Sequence, residues 1–313
     1  MKRDNHLYEK RRNRYLRPRR LRPVTICIAA ICDFGSPHVP PAIVFCADRL
    51  VSAGIQFEGG EPKIKAIAPY CIAMQSSNDS LTSDLILEKV KQKISVLEKP
   101  AKIIEIVEMM RSECFALKKQ WIEDTILSKY NVVFEKLGSK PEVTIKEAVN
   151  EVKEYKYPYE FSFIVLGLEA QREVHLFVID QDGQYWLQDS LGFATIGSGG
   201  DLAFLEMTKH GYTRSFPAVM AIPRIYLAKR VSERAQGVGR FTDLAILFFN
   251  EPKSDKFSPA LQYLSLPELT NKLDETYEAL IKNEKAELEK LSQTVYDSLA
   301  PKPQPTQPQQ TQA

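Results

Sequence analysis

Residues 24–32 read VTICIAAIC, and the reading of this run decides the fold. In an extended chain, Thr25, Cys27, Ala29 and Ile31 fall on one face and Ile26, Ile28, Ala30 and Cys32 on the other. Both faces are apolar beyond the threonine. A strand buried on both sides needs one layer above it and one below. The run AIVFCAD at 42–48 has the same character, and the intervening DFGSPHVPP (33–41) makes the two a hairpin with a long turn. FTDLAILFF at 241–249 is a third strand of this kind.

KIKAI and CIAMQ, at 63–67 and 71–75, read as a second hairpin. Two helices are expected next. One is marked by Leu81, Leu85, Val90, Ile94 and Leu97. The other carries Ile103, Val107, Met110, Cys114, Leu117 and Trp121 in steps of three and four. A third helix around 145–155 leads into the strands FSFIVLGLE, EVHLFVID and QYWLQD, with Asp182-Gly183 as a turn signal. GFATIGSGGDLAFLEMTKHG (192–211) reads as strand, glycine loop and helix, with Ser198 as helix cap and Asp201 three residues on. Pro223 is expected to open a further helix reaching about Arg234.

Strand runs separated from helix runs point to an α+β protein in which two stacked sheets carry helices outside, a four-layer αββα sandwich. The expected organisation is a basic arm at 1–23, one domain at 24–265, a Glu/Lys/Leu-rich helix at 266–299, and a disordered Pro/Gln tail at 300–313.

The net charge of +2 hides an asymmetry. Residues 1–23 hold ten Lys and Arg against two acids, so the remainder is mildly acidic. An acidic body argues against a nucleic-acid surface. The apolar run after the arm ends at Asp33, too short for a signal peptide or a membrane span. The five cysteines form no C-x-x-C pair and read as buried thiols of a reducing, cytoplasmic compartment. The four histidines are scattered, so no metal set is visible, and no cofactor is implied.

A threonine hydroxyl holds its proton tightly and needs a base to become a nucleophile. The chain's own α-amino group, with a pKa near 8, can serve, but only if the threonine is residue 1. A cation, a carboxylate to hold it, and backbone donors for an oxyanion complete such a site.

The segments VTICIAAIC, VFCADRLVSAG, EPKIKAI, ATIGSGGDLAFLEM and GRFTDLAIL, in this order, resemble the proteasome β-subunit group of N-terminal-nucleophile (Ntn) hydrolases, and within it the bacterial proteasome-like peptidase subunits. The resemblance covers roughly residues 24–250. It implies the Ntn-hydrolase fold and a threonine peptidase or amidase. Thr25 would be the nucleophile, Asp48 the carboxylate, Lys63 the cation that tunes the threonine, and Ser198 a partner of the amine. It also implies a homo-oligomer of one ring or stacked rings acting on peptide or protein substrates. Any ATP-driven unfoldase would be a separate chain, since no G-x-x-x-x-G-K-[ST] motif is present. Neither nucleic acid nor membrane is implied.

Three departures stand out. The stretch from Thr25 to Asp48 is longer than is usual there. Glu233 and Gln236 occupy the places of an acid and a serine. QSSNDS (75–80) lacks the glycine expected of an oxyanion segment.

Each residue also has a plainer reading. Thr25 is a β-branched strand residue, Asp48 a turn former, Lys63 a solvated charge, GSGGD a helix entry, and Cys27 and Cys32 core. Two other functions follow from these: a non-catalytic structural ring subunit, or a binding protein using its basic arm. On the enzyme reading, residues 1–24 must be absent from the working form. Either synthesis starts at Val24 and trimming exposes Thr25, or the arm is a propeptide cut at Val24–Thr25.

Overall fold

The structure is a computed structural model. It describes residues 25–33, 40–52, 56–58, 62–170, 173–249, 258–265 and 267–299. The expectations for the arm at 1–24, the tail at 300–313 and most of the loop at 33–41 lie outside these residues. The chain falls into two compact units, one ending at Ser265 and one beginning at Leu266.

The first unit is mixed α and β, with two five-stranded antiparallel sheets. One sheet contains β1 (Cys27–Cys32), β2 (Ala42–Asp48), β10 (Phe193–Ile196), β11 (Thr242–Phe249) and β12 (Pro259–Tyr263), in the order β10-β1-β2-β11-β12. The other runs in sequence order through β5 (Ile64–Ala68), β6 (Cys71–Ser77), β7 (Phe161–Leu168), β8 (Val174–Asp180) and β9 (Tyr185–Leu187). A small pair, β3 (Leu50–Ser52) and β4 (Gln56–Glu58), follows β2. The sequence reading did not anticipate this pair or β12.

Every residue of β1 and β2 is buried, so both faces are covered. Cys27, Ala29, Ile31 and Phe45 share one core with Ile72, Met74, Ile164 and Leu166, so the two sheets face each other. Each large apolar side chain buried there contributes about 1.5–3 kcal/mol. On the other face of the second sheet lie α1 (Ser80–Ser95) and α2 (Ile103–Thr125). Ile86, Leu87, Ile106 and Met110 pack there on Ala73, Phe163 and Val165. Two short 3-10 helices (Leu127–Tyr130, Phe134–Ser139) and α3 (Glu142–Glu154) follow. α4 (Gly200–Lys209) packs on β10 and on α5 (Ala218–Ser232), and α5 lies against β1 and β2.

Two expectations change. The stripe read for α1 holds at Val90, which is buried, and at Ile94, which packs on the core, but not at its ends. Leu81 and Leu85 are exposed, Leu97 lies beyond the helix end, and the buried face is Ile86, Leu87 and Val90. The stripe of α2 faces inward as expected, with Ile103, Val107, Met110 and Cys114 in the core and Leu117 and Trp121 packed against it. Pro223 lies inside α5 rather than at its start. Pro217 is the N-cap, its carbonyl accepting from Met220 (2.8 Å) and Ala221 (2.9 Å). Two prolines compete for the start, and the earlier one matches the fixed φ while Pro223 gives up one helix bond.

The second unit holds α6 (Pro267–Leu299). Among the described residues no helix is long and apolar enough to cross a membrane.

Candidate active site

Strand pairing brings the head of β1 beside the tail of β2: Cys27 stands opposite Ala47, and the Asp48 amide donates to the Ile26 carbonyl (3.2 Å). Thr25 and Asp48 therefore meet at one strand end, 1% and 0% exposed. The Thr25 hydroxyl donates to Asp48 Oδ1 (2.6 Å). The same oxygen accepts from the Ile26 amide (2.9 Å) and from Lys63 Nζ (2.6 Å). Lys63 Nζ also donates to Thr25 Oγ1. Asp48 Oδ2 accepts from the amides of Leu50 (3.2 Å) and Gly239 (2.9 Å).

Lys63 comes from the other sheet. It precedes β5, and its carbonyl accepts from the Gln75 amide of β6 (3.0 Å). Its side chain is 11% exposed, so the pair with Asp48 is close to fully desolvated. Such a pair adds little net stability because desolvation offsets the attraction, yet removing one partner strands a buried charge.

Ser198 arrives through β10, whose Ile196 pairs with Cys27. Its Oγ lies 3.3 Å from the Thr25 nitrogen and accepts there, and it is also 3.3 Å from the carbonyls of Thr25 and Gln236. The Gly199 amide donates to the Thr25 carbonyl (3.2 Å). This close approach needs Gly197: its φ is +98°, and a Cβ there would stand 2.3 Å from the Thr25 carbonyl oxygen. Ser198 does not cap α4. The N-cap is Gly199, with no side-chain hydrogen bond, because the serine is turned toward Thr25 and Gln236 instead.

All four residues singled out from sequence, Thr25, Asp48, Lys63 and Ser198, are thus brought together. Glu233 is not among them. It is bound to Lys229 (2.6 Å) and Arg230 (2.8 Å) at the end of α5. Gln236 contributes only its main-chain carbonyl. Lys229 is 0% exposed and was missed from sequence, as was Gly239. The Lys229 ammonium donates to the Arg240 carbonyl and so tethers the segment that presents the Gly239 amide to Asp48. Burial lowers the proton affinity of Lys229, with Glu233 opposing. The glycines of GVG (237–239) were the available signal for a close backbone approach.

Two residues from Thr25, burial pushes the Cys27 thiol up, and the weaker pull of Lys63 does not reverse it. A neutral buried thiol is a poor nucleophile. In the segment 75–80, the Asn78 amide is spent on the Glu160 carbonyl (3.0 Å) and the Asp79 amide on Ser77 Oγ (3.0 Å).

No family model matches the chain, and no curated protein matches it.

Proposed function

We propose that this chain is a threonine peptidase or amidase of the proteasome-like Ntn group, with Thr25 as nucleophile once residues 1–24 are removed. The observation that carries this reading is the Thr25 hydroxyl held between the Lys63 ammonium and the Asp48 carboxylate, with Ser198 at the Thr25 nitrogen. The facing sheets with helices on their outer sides support the four-layer αββα sandwich of that group.

While residue 24 is attached, the Thr25 nitrogen is an amide, whose lone pair is delocalised and cannot accept a proton. As a free amine it can take the hydroxyl proton while Oγ1 attacks a substrate carbonyl carbon. The scissile C–N bond then breaks, its nitrogen leaves with that proton, and the acyl group remains as an ester on Oγ1. Water hydrolyses the ester and regenerates the hydroxyl. Lys63 stabilises negative charge growing on Oγ1, and Asp48 holds Lys63 in place. The substrate is a peptide or protein, the working form is a homo-oligomeric ring, and any unfoldase is a separate chain.

The test is a chain that begins at Thr25, prepared by cutting a fusion immediately before it. It should hydrolyse peptide amides and gain the mass of an electrophilic threonine inhibitor at Thr25. Thr25→Ala and Lys63→Ala should abolish turnover with the fold retained. Light scattering on the full chain, and on the chain beginning at Thr25, should show several subunits; the mass of a single chain at micromolar concentration, 35.6 kDa for the full length, counts against the ring.

The engaged amides of Asn78 and Asp79 favour a second reading, a non-catalytic ring subunit, because neither of these two amides is free to serve as an oxyanion donor. A folded, oligomeric chain starting at Thr25 that neither turns over nor takes the label would establish it.

A further inference from the structure

At the opposite end of β7 from the Lys63–Gln75 contact, the hairpin β7–β8 gathers a second set of polar groups. The period of two along each strand dictates which side they take. Phe163 and Val165 of β7, with Phe177 and Ile179 of β8, face α2. Continuing the alternation, Glu169, Glu173 and His175 all fall on that same side. The pairing of Gly167 with His175 and the bond from the Glu169 amide to the Glu173 carbonyl (2.9 Å) put them abreast.

The imidazole is oriented by a fourth residue. Asp189 accepts at His175 Nδ1 (2.8 Å), and its other oxygen accepts from the Leu176 amide (2.8 Å). A carboxylate on Nδ1 keeps the proton there and turns the Nε2 lone pair outward. Nε2 then faces Glu169 Oε1 at 3.9 Å and Glu173 Oε2 at 3.7 Å. Those separations are too long for hydrogen bonds. They sit slightly above the roughly 3.4 Å between neighbouring ligands of a tetrahedral cation with bonds of about 2.0–2.2 Å. All three donor atoms lie within 4.8 Å of one another. Glu169 is also anchored, since its Oε1 accepts from the Ile103 amide at the head of α2 (2.9 Å).

We propose that Glu169, Glu173 and His175 bind a divalent transition-metal cation, zinc being the first candidate, with Asp189 as the residue that orients the imidazole. One nitrogen and two carboxylate oxygens suit zinc, and a water can fill the fourth position. The exposed Glu173 closes the small remaining gap by a side-chain rotation. The cation ties the β7–β8 turn to the start of α2 through Glu169, which makes it a structural clasp. The scattered histidines gave no hint of this, because the ligands meet across a hairpin and their orienting partner lies beyond β9.

The competing arrangement is a protonated His175 paired with the surrounding carboxylates and no affinity for metal. Zinc binding to the chelator-stripped full chain separates the two, read by competition with a chromophoric chelator and by thermal melting with and without zinc. The parent should bind one equivalent more than His175→Ala, and zinc should raise the melting temperature of the parent alone. Asp189→Asn should keep the stoichiometry and bind about 10- to 100-fold more weakly. Glu173→Gln, at an exposed position, should leave the metal-free melt unchanged and weaken zinc at least tenfold, which covers the case in which His175→Ala does not fold. Equal zinc content in parent and Glu173→Gln, or no uptake by the parent at 100 µM zinc, on the order of a weak site, would overturn the assignment.

Discussion

Replacing Asp48 by Asn tests whether its carboxylate anchors the site. Five donors converge on it: the Thr25 hydroxyl, the Ile26 amide and Lys63 Nζ on Oδ1, and the Leu50 and Gly239 amides on Oδ2. Asparagine offers one oxygen in place of two. If that oxygen takes the Oδ1 position, the new NH2 group points at two buried amides that can only donate. Each amide left unpaired costs about 1–3 kcal/mol. Lys63 also loses its counter-charge, and breaking a buried pair costs about 3–5 kcal/mol on its own. The two costs overlap, because the amide oxygen still accepts from Lys63. The expected loss is therefore about 3–6 kcal/mol, out of a total stability of about 5–15 kcal/mol.

Urea unfolding at pH 7, followed by circular dichroism, gives the value from midpoint and slope. Lys63→Met and the double variant complete a cycle. The double variant should be less destabilised than the sum of the two by about 1–3 kcal/mol, since it removes the stranded charge. An Asp48→Asn protein within about 1 kcal/mol of the parent would refute the reasoning, because a buried carboxylate with five donors cannot be neutralised so cheaply.

Gly197→Ala should cost about 1–3 kcal/mol for the left-handed backbone and about as much again for the contact with the Thr25 carbonyl. Gly211→Ala is the control, with φ +61° and nothing within 4 Å of a new Cβ; if Gly197→Ala melts no lower than this control, the close approach is not as tight as described. The cysteines predict the alkaline limb of stability. Burial pushes Cys32 and Cys46 up to about 12. Between pH 9 and 12 the unfolded chain releases thiol protons that the folded chain keeps, so stability should fall as pH rises. Lys229, whose affinity is lowered, works the other way but is a single group. A urea midpoint that climbs across that window would contradict the burial of the thiols.

The parts of the fold legible in the sequence were those where periodicity admits one answer. β1 and β2 are apolar on both faces, and no amphipathic helix reads that way. α2 carries a stripe long enough to define its buried side. The first half of α1 was misread because Leu81 and Leu85 are as apolar as Ile86 and Leu87, and only the sheet beneath decides which pair is covered. The 3-10 helices bury few side chains in the main core, so composition did not mark them, whereas α3 was read to within a few residues. Within the site, Thr25, Asp48, Lys63 and Ser198 were legible because they sit in motifs of fixed order. The backbone donors Leu50 and Gly239 were not, since an amide carries no sequence signature, and Lys229 looked like any basic residue of a helix end.

The hydrogen bonds around Asp48 have a consequence for the order of events on the proposed reading. Its five donors come from the two residues before β1, the start of β3, the residue before β5, and the segment 237–240, and four of the five are not the threonine hydroxyl. None of them requires a free amine at residue 25. The Lys63–Asp48 pair can therefore be desolvated and locked by folding alone, while the Thr25 nitrogen is still an amide. The hydroxyl meanwhile donates its hydrogen bond to Asp48. Removal of residues 1–24 then changes one atom's chemistry, the nitrogen 3.3 Å from Ser198 Oγ, within a site whose charges are already fixed. Preassembly of this kind places the electrostatics before the base, so full-length protein should fold with the Asp48 network intact and remain inert, and the chain beginning at Thr25 should differ from it in reactivity far more than in stability.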